Sequence, residues 1–254
     1  MVSEDSARIG QSQTVRAAMT LRDMIIDGRL EPEMRYTETQ LAELLSMSRT
    51  PIRAALQRLT DEGLLTAMPA GGYVIRLLLP SEISETIELR GVLEGLCARL
   101  LAERGCPGAA LDELVALSTQ IEALLADDGF SRADLPTYER LNGRFHQKLV
   151  AATESTLLIQ ELARANNRPF ASASSLVGMY ENDRAARQHL LIGQDHHRTV
   201  IEAIRSRQGA RAEAIMREHA RLSQRNLMRA VESSRSLELL RGASLIRQPD
   251  EETG

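Results

Sequence analysis

The stretch "SMSRTPIRAALQRLTDEGLL", residues 46 to 65, decides the reading of this chain. Its first thirteen positions hold three arginines, Arg49, Arg53 and Arg58, and no acid; an acidic pair and a glycine close it. Ser48 stands where a helix N-cap belongs, and Pro51 falls in the first turn, where its missing N–H costs nothing. Gly63 marks the stop. Upstream, Thr37 and Gln40 make a capping box ahead of "ETQLAELL", whose Leu41, Leu44 and Leu45 keep helical spacing. Earlier still, residues 13 to 28 carry a rougher stripe of Val15, Ala18, Met19, Met24 and Ile25, which Gly28 and Pro32 break. Downstream, "LLTAMPAGGYVIRLL" offers two β-prone pieces, Leu64 to Ala67 and Tyr73 to Leu77, around a Pro and two Gly, the pattern of a hairpin. Helix, helix, turn, helix, hairpin is the order of a winged helix-turn-helix.

That order explains why a chain of 254 residues and formal net charge -4 concentrates arginine here. A recognition helix enters the DNA major groove by its N-terminal end, where arginines reach guanine edges and phosphates. Arg49 occupies the first position, Arg53 lies one turn on, and the Thr50 hydroxyl suits a phosphate oxygen, aided by the partial positive charge of the helix N-terminus. As charge alone the cluster would equally suit a solvated helix face.

Composition bounds the rest. The length suggests two domains, and 43% hydrophobic residues with only 3% aromatics favour helices packed through aliphatic side chains. No apolar run approaches the roughly 20 residues that span a bilayer, and the N-terminus is too polar for a signal peptide, so no membrane partner and a cytoplasmic location are expected. Cys97 and Cys106 have no zinc-site spacing and read as packed thiols.

"LAELLSMSRTPIRAALQRLTDEGLL", followed by "GGYV", resembles the DNA-binding domain of the GntR family of bacterial transcriptional regulators. The likeness covers most of residues 13 to 77. It implies that Arg35, Arg49 and Arg53 contact base edges or backbone, that Ser48 and Thr50 contact phosphate, and that Gly71 at the wing tip approaches the minor groove. Glycine suits a wing because no Cβ blocks close approach to DNA.

Residues 80 to 240 read as a second, all-helical domain, an antiparallel bundle, and 241 to 254 as a disordered tail. The first helix, opened by Pro80 and Ser81, shows Ile83, Ile87, Leu93, Leu96 and Leu100 near one face. Further helices are expected at about 108 to 127, 132 to 152, 155 to 176, 182 to 206 and 209 to 238, joined by short loops. His146, His197 and His219 each sit in an apolar run on a different helix, and Asn142 lies one turn before His146. One inward histidine is ordinarily a hydrogen-bonded core residue; three from three helices point to a shared cavity. Imidazole is a favoured ligand of Zn, Ni and similar ions.

"LNGRFHQKL", "DHHRTVIEAI" and "MREHARL" resemble the C-terminal domain of the FadR-type subfamily of GntR regulators, the FCD domain. That resemblance implies a metal held by Asn142, His146, His197 and His219 beside a small carboxylate effector, with Asn142 standing where Asp is usual. A neutral amide oxygen is the weaker ligand. It also assigns Arg90, in "IELRGVLEG", to the effector, although Arg90 and Glu94 at i+4 could equally form a surface pair. The chain is therefore expected to be a dimeric repressor, released from an inverted-repeat operator by a small organic acid. A dimeric DNA-binding protein without effector and a metal-dependent hydrolase are the alternatives.

Overall fold

A computed structural model describes residues 2–126, 130–177, 183–232 and 237–248. The chain divides into two compact units: Met1–Leu79 with Arg241–Gly254, and Pro80–Leu240.

The first unit carries α1 (Val2–Ile26), β1 (Arg35–Tyr36), α2 (Glu38–Leu45), α3 (Arg49–Asp61), β2 (Leu65–Ala67) and β3 (Tyr73–Ile75). Its core follows from helical periodicity. Ile52, Ala55, Leu56 and Leu59 form the buried stripe of α3 and meet Ala17, Leu21 and Ile25 of α1. Thr37 caps α2 in the expected box with Gln40, and Ser46, at φ 51, closes the helix before the turn into α3. Gly63, at φ +83, ends α3 and turns the chain into the wing.

The strands form an antiparallel sheet in the order β1-β3-β2, with Arg35 opposite Val74 and Ala67 opposite Tyr73. β1 was not anticipated, because two residues carry no alternation for a sequence to display.

The expected disordered tail from 241 does not hold for residues 241 to 248. Leu245 and Ile246 are buried, and Ile246 bridges in parallel to Leu78. The Leu78 N–H donates to the Leu245 carbonyl at 2.7 Å, and the Arg247 N–H to the Leu78 carbonyl at 3.0 Å. Arg241 ion-pairs with Asp23 and Asp27 on and just after α1. Two large aliphatic side chains in a polar run thus find a place in the first unit's core.

The second unit is built from α4 (Pro80–Arg104), α5 (Gly108–Ala126), α6 (Leu135–Ala151), α7 (Thr156–Asn166), α8 (Asp183–Arg205) and α9 (Gly209–Glu232). The helix expected over 155 to 176 stops at Asn166. Pro169 restrains Arg168 against helical geometry, and Phe170 at φ 59 turns the chain away. Of the last expected helix, residues 233 to 236 lie outside the described residues. The α4 and α9 helices run antiparallel at close range because α4 presents glycine at two successive turns. A Cβ on Gly91 would stand 2.6 Å from the Ala220 Cβ, and one on Gly95 3.0 Å from the Glu213 carbonyl. This approach sets the α4 side chains against α9. The face of α4 turned inward is Ile83, Ile87, Arg90, Glu94, Ala98 and Leu101, while Leu93, Leu96 and Leu100 are only partly covered, near α7.

Candidate functional site

At the N-terminal end of α3, Ser48, Arg49, Thr50 and Arg53 are all exposed. Ser48 makes no side-chain capping bond, so its hydroxyl is uncommitted to the helix. Both arginines converge on one carboxylate. Arg53 donates from Nε and Nη2 to Glu38 at 2.9 and 2.9 Å, and Arg49 donates from Nη2 at 3.4 Å. Hydrogen bonding from Arg53 is the largest cause holding the Glu38 carboxyl below its ordinary pKa. Glu38, at the start of α2, escaped sequence reading because it meets these arginines across the turn. Arg35 lies apart from the α3 group, on β1, where its Nη2 donates to the Ala70 carbonyl at 2.8 Å and braces the wing. Gly71, at φ +84, forms the exposed wing tip beside that guanidinium.

In the bundle the three histidines converge. His146 of α6, His197 of α8 and His219 of α9 each offer one ring nitrogen within 4.8 Å of the others, and all three are buried. Outer partners orient two of the rings. The Glu94 carboxylate, which can only accept, lies 3.0 Å from His146 Nδ1, so Nδ1 carries the proton and Nε2 faces inward. Gln194 spends its amide hydrogens on the Ser118 carbonyl and hydroxyl, both at 2.8 Å, which turns its Oε1 to His197 Nδ1 at 3.2 Å. His197 Nε2 is left buried without a partner among the described residues. His219 Nε2 stands 3.2 Å from His146 Nε2. Asn142 gives its amide hydrogen to Ser174 at 2.9 Å, leaving Oδ1 buried and without a partner among the described residues.

Burial, then the neighbouring imidazoles, push the His197 and His219 pKa values well below the ordinary value, so both rings present lone pairs at neutral pH. Bare lone pairs on buried imidazoles and a bare amide oxygen are the donors a divalent cation takes. The residues present therefore fit a metal.

Arg90 is 0% exposed, which excludes the surface-pair reading. Its Nη2 reaches Ser223 on α9 at 3.4 Å, while Nε and Nη1 have no hydrogen-bond partner among the described residues. Glu94 Oε2 lies 4.0 Å from Nε, an ion pair too long for a hydrogen bond. Burial pushes the Arg90 pKa down and Glu94 opposes it. For Glu94, burial raises the pKa, but His146 and Arg90 together outweigh it and hold the carboxyl below its ordinary range. A cavity of about 420 Å³ opens beside Glu94 and His146, between α6 and α7, with Gln147, Asn166 and Asn167 on its walls.

A winged helix with an arginine-bearing recognition end, joined to a helical unit with a buried histidine cluster, agrees with two family models. Residues 13–75 match the bacterial regulatory proteins of the gntR family, and residues 85–222 match the FCD domain. The chain belongs to the GntR family. It is a transcriptional regulator of the branch that carries an FCD domain, and not an enzyme. An uncharacterized HTH-type transcriptional regulator in the TAR-I ttuE-ttuC' intergenic region of Agrobacterium vitis is 37% identical over 132 residues, 52% of this chain and 75% of that one. The gluconate operon transcriptional repressor of Bacillus licheniformis is 28% identical over 197 residues, 77% of each chain. Among solved structures, E. coli McbR/YncC superposes with a TM-score of 0.60 at 19% identity, covering 85% of this chain and 97% of that one, a likeness of fold. FCD domains can bind a metal ion, and the three histidines of this GntR regulator form a group able to hold one. No helix among the described residues is long and apolar enough to cross a membrane.

Sequence reading missed the outer partners. Glu94 lies on the buried stripe of α4 with Ile83, Ile87, Arg90 and Ala98, so strict helical spacing was the available signal. Ser118, Gln194 and Ser174 gave none, since their roles depend on which helices become neighbours.

Proposed function

We propose that this regulator is a repressor that binds an inverted-repeat operator as a homodimer and releases it when a small organic acid enters the helical unit. A DNA-reading protein acts where the chromosome lies, which assigns it to the cytoplasm. Arg49 and Arg53 read bases, Ser48 and Thr50 hold phosphates, and Gly71 and Arg35 serve the wing. Supporting this, all four residues at the start of α3 are exposed and Ser48 is free of capping duty. A relative that represses a gluconate operon supports the repressor reading.

The observation that carries the effector reading is the Arg90 guanidinium, wholly buried with two of its three nitrogens, Nε and Nη1, unpartnered among the described residues. Unpaired donors on a buried charge are costly, and the Glu94 carboxylate, 4.0 Å from Nε, supplies opposite charge but no hydrogen bond, whereas a further carboxylate would match the open fork. A constitutive DNA-binding protein would leave that cost unexplained. His146, His197, His219 and the Asn142 oxygen would hold a divalent ion, Zn or Ni, whose charge helps draw the acid. Asn142 would face both ion and acid.

The test is fluorescence anisotropy on operator DNA obtained by selection with the full chain, titrated with small carboxylic acids with and without Zn or Ni. The expected result is release by one acid class, lost in Arg90→Met, with DNA affinity weakened by about 1–3 kcal/mol in Arg53→Ala. Failure of every acid to release DNA would remove the effector reading. Unchanged selectivity in Arg53→Ala would remove the reading of α3.

A further inference from the structure

The donors that would surround a divalent ion in the bundle are all uncharged: three imidazoles and the Asn142 amide. An ion with two positive charges in a buried site needs a countercharge nearby, because desolvation costs several kcal/mol per ion. Among the described residues, one carboxylate is hydrogen-bonded to the cluster. Glu94 Oε1 accepts from His146 Nδ1 at 3.0 Å, and both Glu94 and His146 are buried.

The comparison with His197 sharpens the point. His197 also has its Nδ1 held by an oxygen, but that oxygen belongs to Gln194, whose own hydrogens are fixed by Ser118. Gln194 can orient a ring and adds no charge. Glu94 does both: it holds His146 with Nε2 bare toward His219, and it places a negative charge one imidazole away from the ion. A carboxylate behind a ligating imidazole fixes the tautomer and makes the inward nitrogen a stronger donor.

Resting on the metal reading above, we propose that Glu94 is the positioning residue of this site, supplying the negative charge that its neutral ligand set lacks. The second oxygen, Oε2, has no hydrogen-bond partner among the described residues and lies 4.0 Å from Arg90 Nε. Glu94 therefore stands between the cation site and the guanidinium assigned to the acid.

The experiment compares three full-length proteins: Arg90→Met, Arg90→Met with Glu94→Gln, and Arg90→Met with Glu94→Ala. Removing Arg90 first keeps the guanidinium from being stranded, so the Glu94 variants fold. Gln retains the oxygen that orients His146 and discards the charge; Ala discards both. Zn and Ni affinities are measured by competition with a chromophoric chelator, and the His146 tautomer by nitrogen-15 NMR of the metal-free proteins.

The expected result is a loss of affinity of about 10- to 100-fold on adding Glu94→Gln, and a further loss with Ala. The Nδ1–H tautomer of His146 should persist in the Gln protein and mix in the Ala protein. Affinities within threefold between the first two proteins would overturn the assignment of charge to Glu94 while leaving the metal reading intact. A His146 proton on Nε2 in the metal-free Arg90→Met protein would overturn it whatever the affinities. No binding of either ion by wild type at micromolar concentration would overturn the metal reading, and this inference with it.

Discussion

Glu94→Gln alone leaves the Arg90 guanidinium buried without a countercharge. Both side chains are 1% exposed and their nearest N and O atoms are 4.0 Å apart. At an effective dielectric constant of about 20, two unit charges at that distance attract by about 4 kcal/mol. Breaking a buried pair from one side costs about 3–5 kcal/mol. Arg90→Met loses the same attraction but also removes the less satisfied ion, since Glu94 keeps its bond to His146, so the two effects largely offset. Replacing both, Arg90→Met with Glu94→Gln, removes the pair outright, which is commonly neutral or stabilising by about 1–4 kcal/mol. For a unit of this size about 2–4 °C of Tm accompanies each kcal/mol, so Glu94→Gln should melt about 6–20 °C below wild type, and the double variant at or above it. The assay is calorimetry with a double-mutant cycle at pH 7.5 in chelator, following the transition of the helical unit. A Glu94→Gln protein within 1 kcal/mol of wild type, or a coupling energy under about 0.5 kcal/mol, would refute the reasoning.

Two further outcomes follow from burial. The folded pKa values of His197 and His219 lie well below the unfolded imidazole value, so as pH falls below about 6.5 the unfolded chain takes up protons first; the bundle's stability should be level above that pH and drop between 6.5 and 5, and a Tm flat to pH 5 would contradict it. His189, pushed to about 4 chiefly by burial, acts in the same direction. Leu245→Ala, at a wholly buried position, should cost the first unit about 2–5 kcal/mol, whereas Arg241→Ala, on the surface, should cost under about 1; equal effects in calorimetry or limited proteolysis would show that residues 241 to 248 are held by their charges.

The winged helix was legible because its signals are local. The capping box of Thr37 and Gln40, Pro51 in a first turn and Gly63 at a stop each act within a few residues, and the structure uses all three. The histidines were legible for a related reason: a polar side chain inside an apolar run must face the core. The expectation of a disordered tail failed over residues 241 to 248, because Leu245 and Ile246 are too few to make a periodic signal and their burial depends on Leu78, far away in sequence; residues 249 to 254 lie outside the described residues. For Glu94 a local rule left the role open. An Arg and a Glu at i,i+4 ordinarily brace a solvated face, but two α4 glycines let α9 approach closely and cover them. Long-range approach decided what spacing alone left open.

The same approach would bear on any coupling between a ligand in the helical unit and the winged helix. Arg90 and Glu94 stand on α4; Ser223, which Arg90 reaches, and His219, which meets the Glu94-bound His146, stand on α9. Of the bundle's helices these are the first and the last. The chain enters α4 immediately after Leu78 and Leu79, and beyond α9 it runs on to residues 241 to 248, which bond to Leu78 through two backbone hydrogen bonds. An anion at Arg90 and a cation at the histidines would share Glu94 and press on these two helices. Whatever the structural route, a closed thermodynamic cycle makes the effect of the acid on ion affinity equal the effect of the ion on acid affinity. Any displacement of α4 against α9 would then have a covalent route to the clasp at Leu78, within the unit that carries the arginines of α3.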